Sequence, residues 1–160
     1  MSITKLAISI AAPLPKLESF ERYLFIGPHP DDIEIGAGAT AAKLVSAGKN
    51  VVFLCCIDGR YGSSTVAPEE LIPIRRAEAK ASAAALGVTD IRFLPFCDGG
   101  FYDPSELKSA IAKVVGEFKP DVIFCPDPQV RSECHPDHLN VGRAASEIAY
   151  FSPYEGIMQL

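Results

Sequence analysis

Val51-Val52-Phe53-Leu54-Cys55-Cys56-Ile57, closed by Asp58-Gly59, is the stretch that decides the fold. It is continuously apolar and rich in β-formers, with no polar alternation. A strand with that pattern is buried on both faces, which is the situation of an inner strand in a parallel sheet. Outward from it, strand-like and helix-like segments alternate. Upstream, Tyr23–Ile26 is a short apolar run ending at Gly27-Pro28, and Gly36–Ala47 is small, apolar and stopped by Gly48, the pattern of a helix. Downstream, Pro73–Leu86 is Ala-rich, opens on proline and ends at Gly87, a second helix. Ile91–Leu94 reads as a third strand. A third helix starts with Asp103 as N-cap and Pro104 at its first position and runs to about Phe118. Val122–Cys125 is a fourth strand, and a last helix covers about Pro136 to Tyr150. Repeated strand–helix units with doubly buried strands predict an α/β fold: a doubly wound, mostly parallel sheet with helices on both faces.

The 160 residues form one domain, 1–160, without repeats or low-complexity segments. The composition is 48% apolar and 22% charged, which excludes a disordered chain. The net charge of −5, with no basic cluster, argues against a nucleic-acid surface. No apolar run approaches a membrane span. The run Leu6–Leu14 behind Lys5 is broken by Pro13 and lacks a convincing cleavage site, so it does not read as a signal peptide. Five cysteines, two of them adjacent in an apolar strand, suit reduced thiols in the cytoplasm better than a disulfide framework. The Gly/Ser/Thr-rich segment Gly59–Pro68 reads as a mobile loop.

All three histidines lie in two short motifs, His29-Pro30-Asp31-Asp32 and His135-Pro136-Asp137-His138. Each follows a predicted parallel strand, the first and the fourth. In a doubly wound sheet these two strands flank the switch point, so the motifs are expected to converge in one crevice. Each motif alone has an ordinary structural account: a Pro/Asp turn that caps a helix, and a polar helix N-terminus. Together they point to a divalent metal, because two imidazoles and a carboxylate are a ligand set for catalytic zinc with a position left for water. Asp31 or Asp32 would then remain as a base that takes a proton from metal-bound water, and spacing does not say which. One histidine would also remain free to stabilise an oxyanion or protonate a leaving group, with Asp137 beside it. Gly36-Ala37-Gly38-Ala39-Thr40-Ala41 resembles a dinucleotide fingerprint, but it starts too far from its strand, and helix packing explains it better. Arg75, Arg76 and Glu78 open their predicted helix, where an arginine facing the crevice could bind a substrate oxygen. Cys134 reads as a bystander thiol.

These residues resemble the LmbE-like / PIG-L family of zinc-dependent N-acetylglucosaminyl deacetylases. The matching segments are Gly27-Pro28-His29-Pro30-Asp31-Asp32 through Thr40, Asp58-Gly59, Arg75 to Glu78 through Gly87, Lys119 to Val122, and His135 to His138, in order from about residue 24 to 149. The resemblance implies a Rossmann-like fold and a Zn2+ or other divalent ion held by His29, Asp32 and His138. It implies Asp31 as general base, His135 as the histidine that steadies the tetrahedral oxyanion, Asp137 as its orienting partner and Arg75 near the substrate. The implied reaction removes the acetyl group from a GlcNAc-type conjugate through metal-bound water, and the implied assembly is a homo-oligomer, a trimer or hexamer. Ile33 separates Asp32 from Glu34, where many members have Glu directly after the aspartates. Family members usually run well past residue 160, which implies that a C-terminal part of the family domain is missing. That motivates an alternative, a catalytically impaired metal- or carbohydrate-binding domain of the same fold.

Overall fold

In the computed structural model, which describes residues 2–4, 11 and 16–159, four strands form one parallel sheet in the order β3-β2-β1-β4. The strands are β1 (Arg22–Gly27), β2 (Asn50–Ile57), β3 (Asp90–Phe96) and β4 (Val122–Phe124). Numbered from β1 onward, the helices are α1 (Asp32–Ser46), α2 (Pro68–Ala85), α3 (Pro104–Phe118), α4 (Pro136–Phe151) and the short α5 (Glu155–Met158). Apart from Ala11, the run Leu6–Leu14 lies outside the described residues. Among those residues no helix is long and apolar enough to cross a membrane.

β2 sits between β1 and β3, and every residue from Val51 to Ile57 is buried. Its two sets of side chains enter different cores. Val52, Leu54 and Cys56 pack with Leu24 and Ile26 of β1 against Leu107 and Ile111 of α3 and Val141 and Ala145 of α4. Val51 and Phe53 pack with Tyr23 and Phe25 against Ile33, Ala41 and Leu44 of α1 and Ala83 of α2. Strand pleating sends successive side chains to opposite faces, so a sheet covered by helices on both sides needs apolar residues at every position.

Two helix starts lie earlier than the sequence predicts. α1 begins at Asp32 rather than Gly36, because Ile33 is buried against the sheet and commits the first turn. α2 begins at Pro68 rather than Pro73. Pro68 supplies the first-turn proline, buried Leu71 anchors the added turn, and Pro73 lies inside the helix. Arg75 therefore sits well inside α2 instead of in its opening turn. Asp103 caps α3 as predicted, its Oδ1 accepting from the Ser105 N–H at 2.7 Å. The Gly36–Ala41 segment lies within α1, so its glycines do not form a phosphate-binding turn; a Cβ on Gly38 would meet Leu86 at 3.4 Å, a helix-packing contact.

The strand order positions the site. β4 pairs with β1, Phe25 opposite Phe124, so the loops leaving these two strands emerge side by side. The first is short, residues 28–31; the second is longer, residues 125–135.

Candidate metal centre

His29 lies among three carboxylates. Its backbone N–H donates to Asp32 Oδ2 at 2.8 Å, and its ring Nδ1 lies 3.2 Å from the same oxygen. On the other side, Nε2 lies 3.0 Å from Asp137 Oδ2 and 3.5 Å from Asp98 Oδ1. His138 arrives from the first turn of α4, just after the second loop, with Nε2 3.5 Å from Asp32 Oδ2. One donor atom from each of His29, Asp32 and His138 falls within 4.8 Å of the others.

The two adjacent aspartates part company at the start of α1. Asp32 turns in among the histidines. Asp31 stays half-exposed on the other side, its Oδ2 3.1 Å from Arg75 Nη2. The same Nη2 donates to the Pro30 carbonyl at 3.0 Å, which fixes the guanidinium beside the loop. Asp31 and Arg75 line a cleft of about 370 Å³ shared with Glu34 and Glu78.

Asp137 is fully buried, and four donors meet its carboxylate. Oδ2 accepts from the Gly99 N–H at 2.8 Å and from His29; Oδ1 accepts from the Gly100 N–H at 2.8 Å and the Tyr102 hydroxyl at 3.0 Å. Positive φ at Gly99 and Gly100 turns two successive N–H groups toward one anion, a backbone conformation that side chains resist. The sequence pairs Asp137 with His135, but its carboxylate lies closer to His29, and 3.8 Å from His135 Nδ1. What reaches His135 is the Asp137 backbone N–H, donated to Nδ1 at 3.3 Å as part of the α4 N-cap. His135 stands half-exposed at the mouth, its ring centroid 4.9 Å from those of His29 and His138.

The carboxylates favour positive charge here. Burial works against a charged His29, yet its hydrogen bonds to Asp137 and Asp32 raise its pKa to about 9. Burial also opposes ionisation of Asp137, and the donors from His29, Gly99 and Tyr102 overcome it, holding the carboxyl at about 2. Asp32 is likewise lowered; burial opposes this, and the His29 hydrogen bonds prevail. Burial pushes the Tyr102 phenol up, so it remains a donor. Two imidazoles and a carboxylate clustered where negative charge seeks a cation are a donor set that fits a divalent metal such as zinc.

Sequence reasoning missed Glu133, Asp98 and Tyr102. Glu133 Oε1 accepts from the N–H groups of Cys134 and His135 at 2.9 and 2.8 Å, while Oε2 lies 3.0 Å from His138 Nδ1. The His135 N–H leads the causes that lower its pKa. Asp98-Gly99-Gly100 follows β3 at the same end of the sheet as both motifs, and that position was the available signal. Cys134 is exposed and belongs to no candidate ligand group among the described residues.

The sequence profile of the family described as PIG-L: GlcNAc-PI de-N-acetylase matches residues 24–149. The chain belongs to the PIG-L family. As a PIG-L chain it is 36% identical over 152 residues to the diacetylchitobiose deacetylase of Thermococcus kodakarensis, covering 94% of this chain and 56% of that protein. It is 33% identical over 166 residues to the 1D-myo-inositol 2-acetamido-2-deoxy-alpha-D-glucopyranoside deacetylase of Kineococcus radiotolerans, covering 83% and 46%. Its fold superposes on N,N'-diacetylchitobiose deacetylase from Pyrococcus horikoshii with a TM-score of 0.87 and 31% identity, over 99% of this chain and 62% of that one. The PIG-L chain thus spans about half the length of the curated relatives it matches.

Proposed function

We propose that this PIG-L chain is a metal-dependent amide hydrolase that removes the N-acetyl group from a GlcNAc-type amino sugar conjugate. The observation that carries the reading is the His29–Asp32–His138 donor trio, with Asp31, the residue next to Asp32, paired to Arg75. His29, Asp32 and His138 would hold the ion, zinc by the character of the donors. When bound, it supplies Lewis acidity toward the amide carbonyl and makes water a nucleophile near neutral pH.

The remaining residues handle protons and charge. Asp31, half-exposed toward the cleft, takes the proton from the attacking water as its oxygen bonds to the acetyl carbon. Arg75 holds that carboxylate and offers further N–H groups to a substrate oxygen. His135 accepts the Asp137 N–H at Nδ1, so in the neutral ring the proton sits on Nε2, available to the oxyanion of the tetrahedral intermediate. Asp137, through His29 Nε2, keeps His29 Nδ1 turned toward Asp32. When the C–N bond breaks, the amine takes up the proton that Asp31 removed from water, and acetate is released. The relatives named for diacetylchitobiose and an inositol glucosaminide support an amino sugar conjugate as substrate. Cytoplasmic residence, supported by five free cysteines, and a trimeric or hexameric assembly belong to the same reading.

The test is deacetylation of a panel of GlcNAc conjugates by zinc-loaded protein, with metal content measured in parallel. Asp31→Asn is expected to keep its zinc and lose about 10²–10⁴-fold in turnover. His138→Ala is expected to lose the zinc itself. Full turnover by Asp31→Asn would remove Asp31 as base. Zinc bound with no turnover on any conjugate would leave a binding domain.

A further inference from the structure

The two histidines of the donor trio each face a carboxylate with the ring nitrogen turned away from the metal position. For His29 it is buried Asp137; for His138 it is Glu133, on the loop after β4. We propose that Glu133 is a positioning residue that sets the tautomer of His138, leaving the nitrogen that faces Asp32 unprotonated and free to bind a cation. The inference rests on the metal site proposed above.

Glu133 has its two oxygens committed separately. Oε1 takes the N–H groups of Cys134 and His135, which pins the side chain against its own loop. Oε2 is thereby aimed at His138 Nδ1, 3.0 Å away. An ionised carboxylate only accepts, and the contact at Nδ1, 3.0 Å, is within hydrogen-bond distance where that of Nε2 to Asp32, 3.5 Å, is at its limit, so the hydrogen belongs on Nδ1. A neutral imidazole has one N–H, so Nε2 is left with its lone pair, and Nε2 is the atom 3.5 Å from Asp32 Oδ2. The opposite tautomer would set a lone pair against Oε2 and place a hydrogen where a cation is to bind.

Glu133→Gln separates this role from loop capping. The amide has one oxygen, and two backbone N–H groups claim it. Its NH2 then faces His138 Nδ1 as a donor, and the ring proton is driven to Nε2. Shape and cap are kept while the tautomer reverses. The experiment is nitrogen-15 NMR of imidazole-labelled, metal-free protein at alkaline pH, with zinc affinity measured by competition against a chromophoric chelator. Wild type is expected to show His138 with Nδ1 protonated and Nε2 bare. The variant is expected to show the reverse, and about 10–100-fold weaker zinc binding. A wild-type His138 protonated on Nε2 would overturn the proposal, as would a Gln variant with unchanged tautomer and affinity. Should the variant fail to fold, the wild-type spectrum decides alone. Neither readout involves turnover: a chain showing both shifts but deacetylating nothing would sink the proposed function and leave this inference standing.

Discussion

The two loops that build the site are held by different physics. The loop after β1 is short and fixed by packing. Gly27 lies so close to Ile33 that a Cβ there would come within 2.6 Å of Ile33 Cγ1, and the Pro28 carbonyl accepts from the Ile57 N–H of the neighbouring strand at 2.7 Å. The loop after β4 is longer, with Arg131, Ser132, Cys134 and His135 exposed. It has little apolar surface to bury. Carboxylates order it instead: Glu133 through its own loop's N–H groups, and Asp137 through the 98–102 segment beyond β3. The comparison teaches that one half of the candidate donor trio comes almost free with the sheet, whereas the other depends on polar contacts, of which those of buried Asp137 are costly to leave half-made.

The largest effect should come from breaking the polar side. Asp137→Ala strands two glycine N–H groups, the Tyr102 hydroxyl and His29 Nε2, and is expected to cost about 3–5 kcal/mol in urea unfolding of the metal-free protein. A cost below about 1 kcal/mol would mean that the second loop does not depend on this carboxylate. Breaking the packed side, Gly27→Ala should cost about 1–3 kcal/mol by the same measurement, as Ile33 is forced from its place. A neutral result would show that Ile33 rotates away freely and that the first loop is looser than its contacts indicate.

Acid sharpens the contrast. The Asp137 carboxyl titrates at about 2 in the folded protein against an ordinary 3.8. Its stabilisation is therefore full above the ordinary value and is lost as pH falls from there toward about 2, a loss of about 2 kcal/mol. Stability curves for wild type and Asp137→Asn should converge over that window; parallel curves would reassign the acid sensitivity elsewhere. The smallest effect is expected at Cys134, between the loop's two anchors. Cys134→Ser should change stability by no more than about 0.5 kcal/mol and leave zinc content unchanged. Loss of zinc in that variant would make the thiol a ligand.

Some boundaries were legible because their causes are local. Asp103-Pro104 announces α3 through a cap and a first-turn proline, both properties of neighbouring residues. Pro73 misleads for the same reason: it carries the signal of a helix start, but Leu71, upstream, finds the core and extends α2 past it. The first motif begins its helix at Asp32 because Ile33 meets the sheet, a contact that the intervening glycines conceal from a pattern of apolar spacing.

By itself, then, the amino-acid order determined an α/β chain with doubly buried strands, two histidine motifs at strand ends and their resemblance to a deacetylase family. These follow from side-chain periodicity, turn chemistry and residue type, which act over a few residues. Only the tertiary structure decided that β4 lies beside β1, which brings His138 to Asp32. Only it turned Asp31 toward Arg75 and Asp32 toward the histidines, gave the Asp137 carboxylate to His29, and brought in Glu133 and the Gly99–Gly100 N–H groups. A carboxylate goes where donors are offered, and the donors here come from strands and loops far away in the chain.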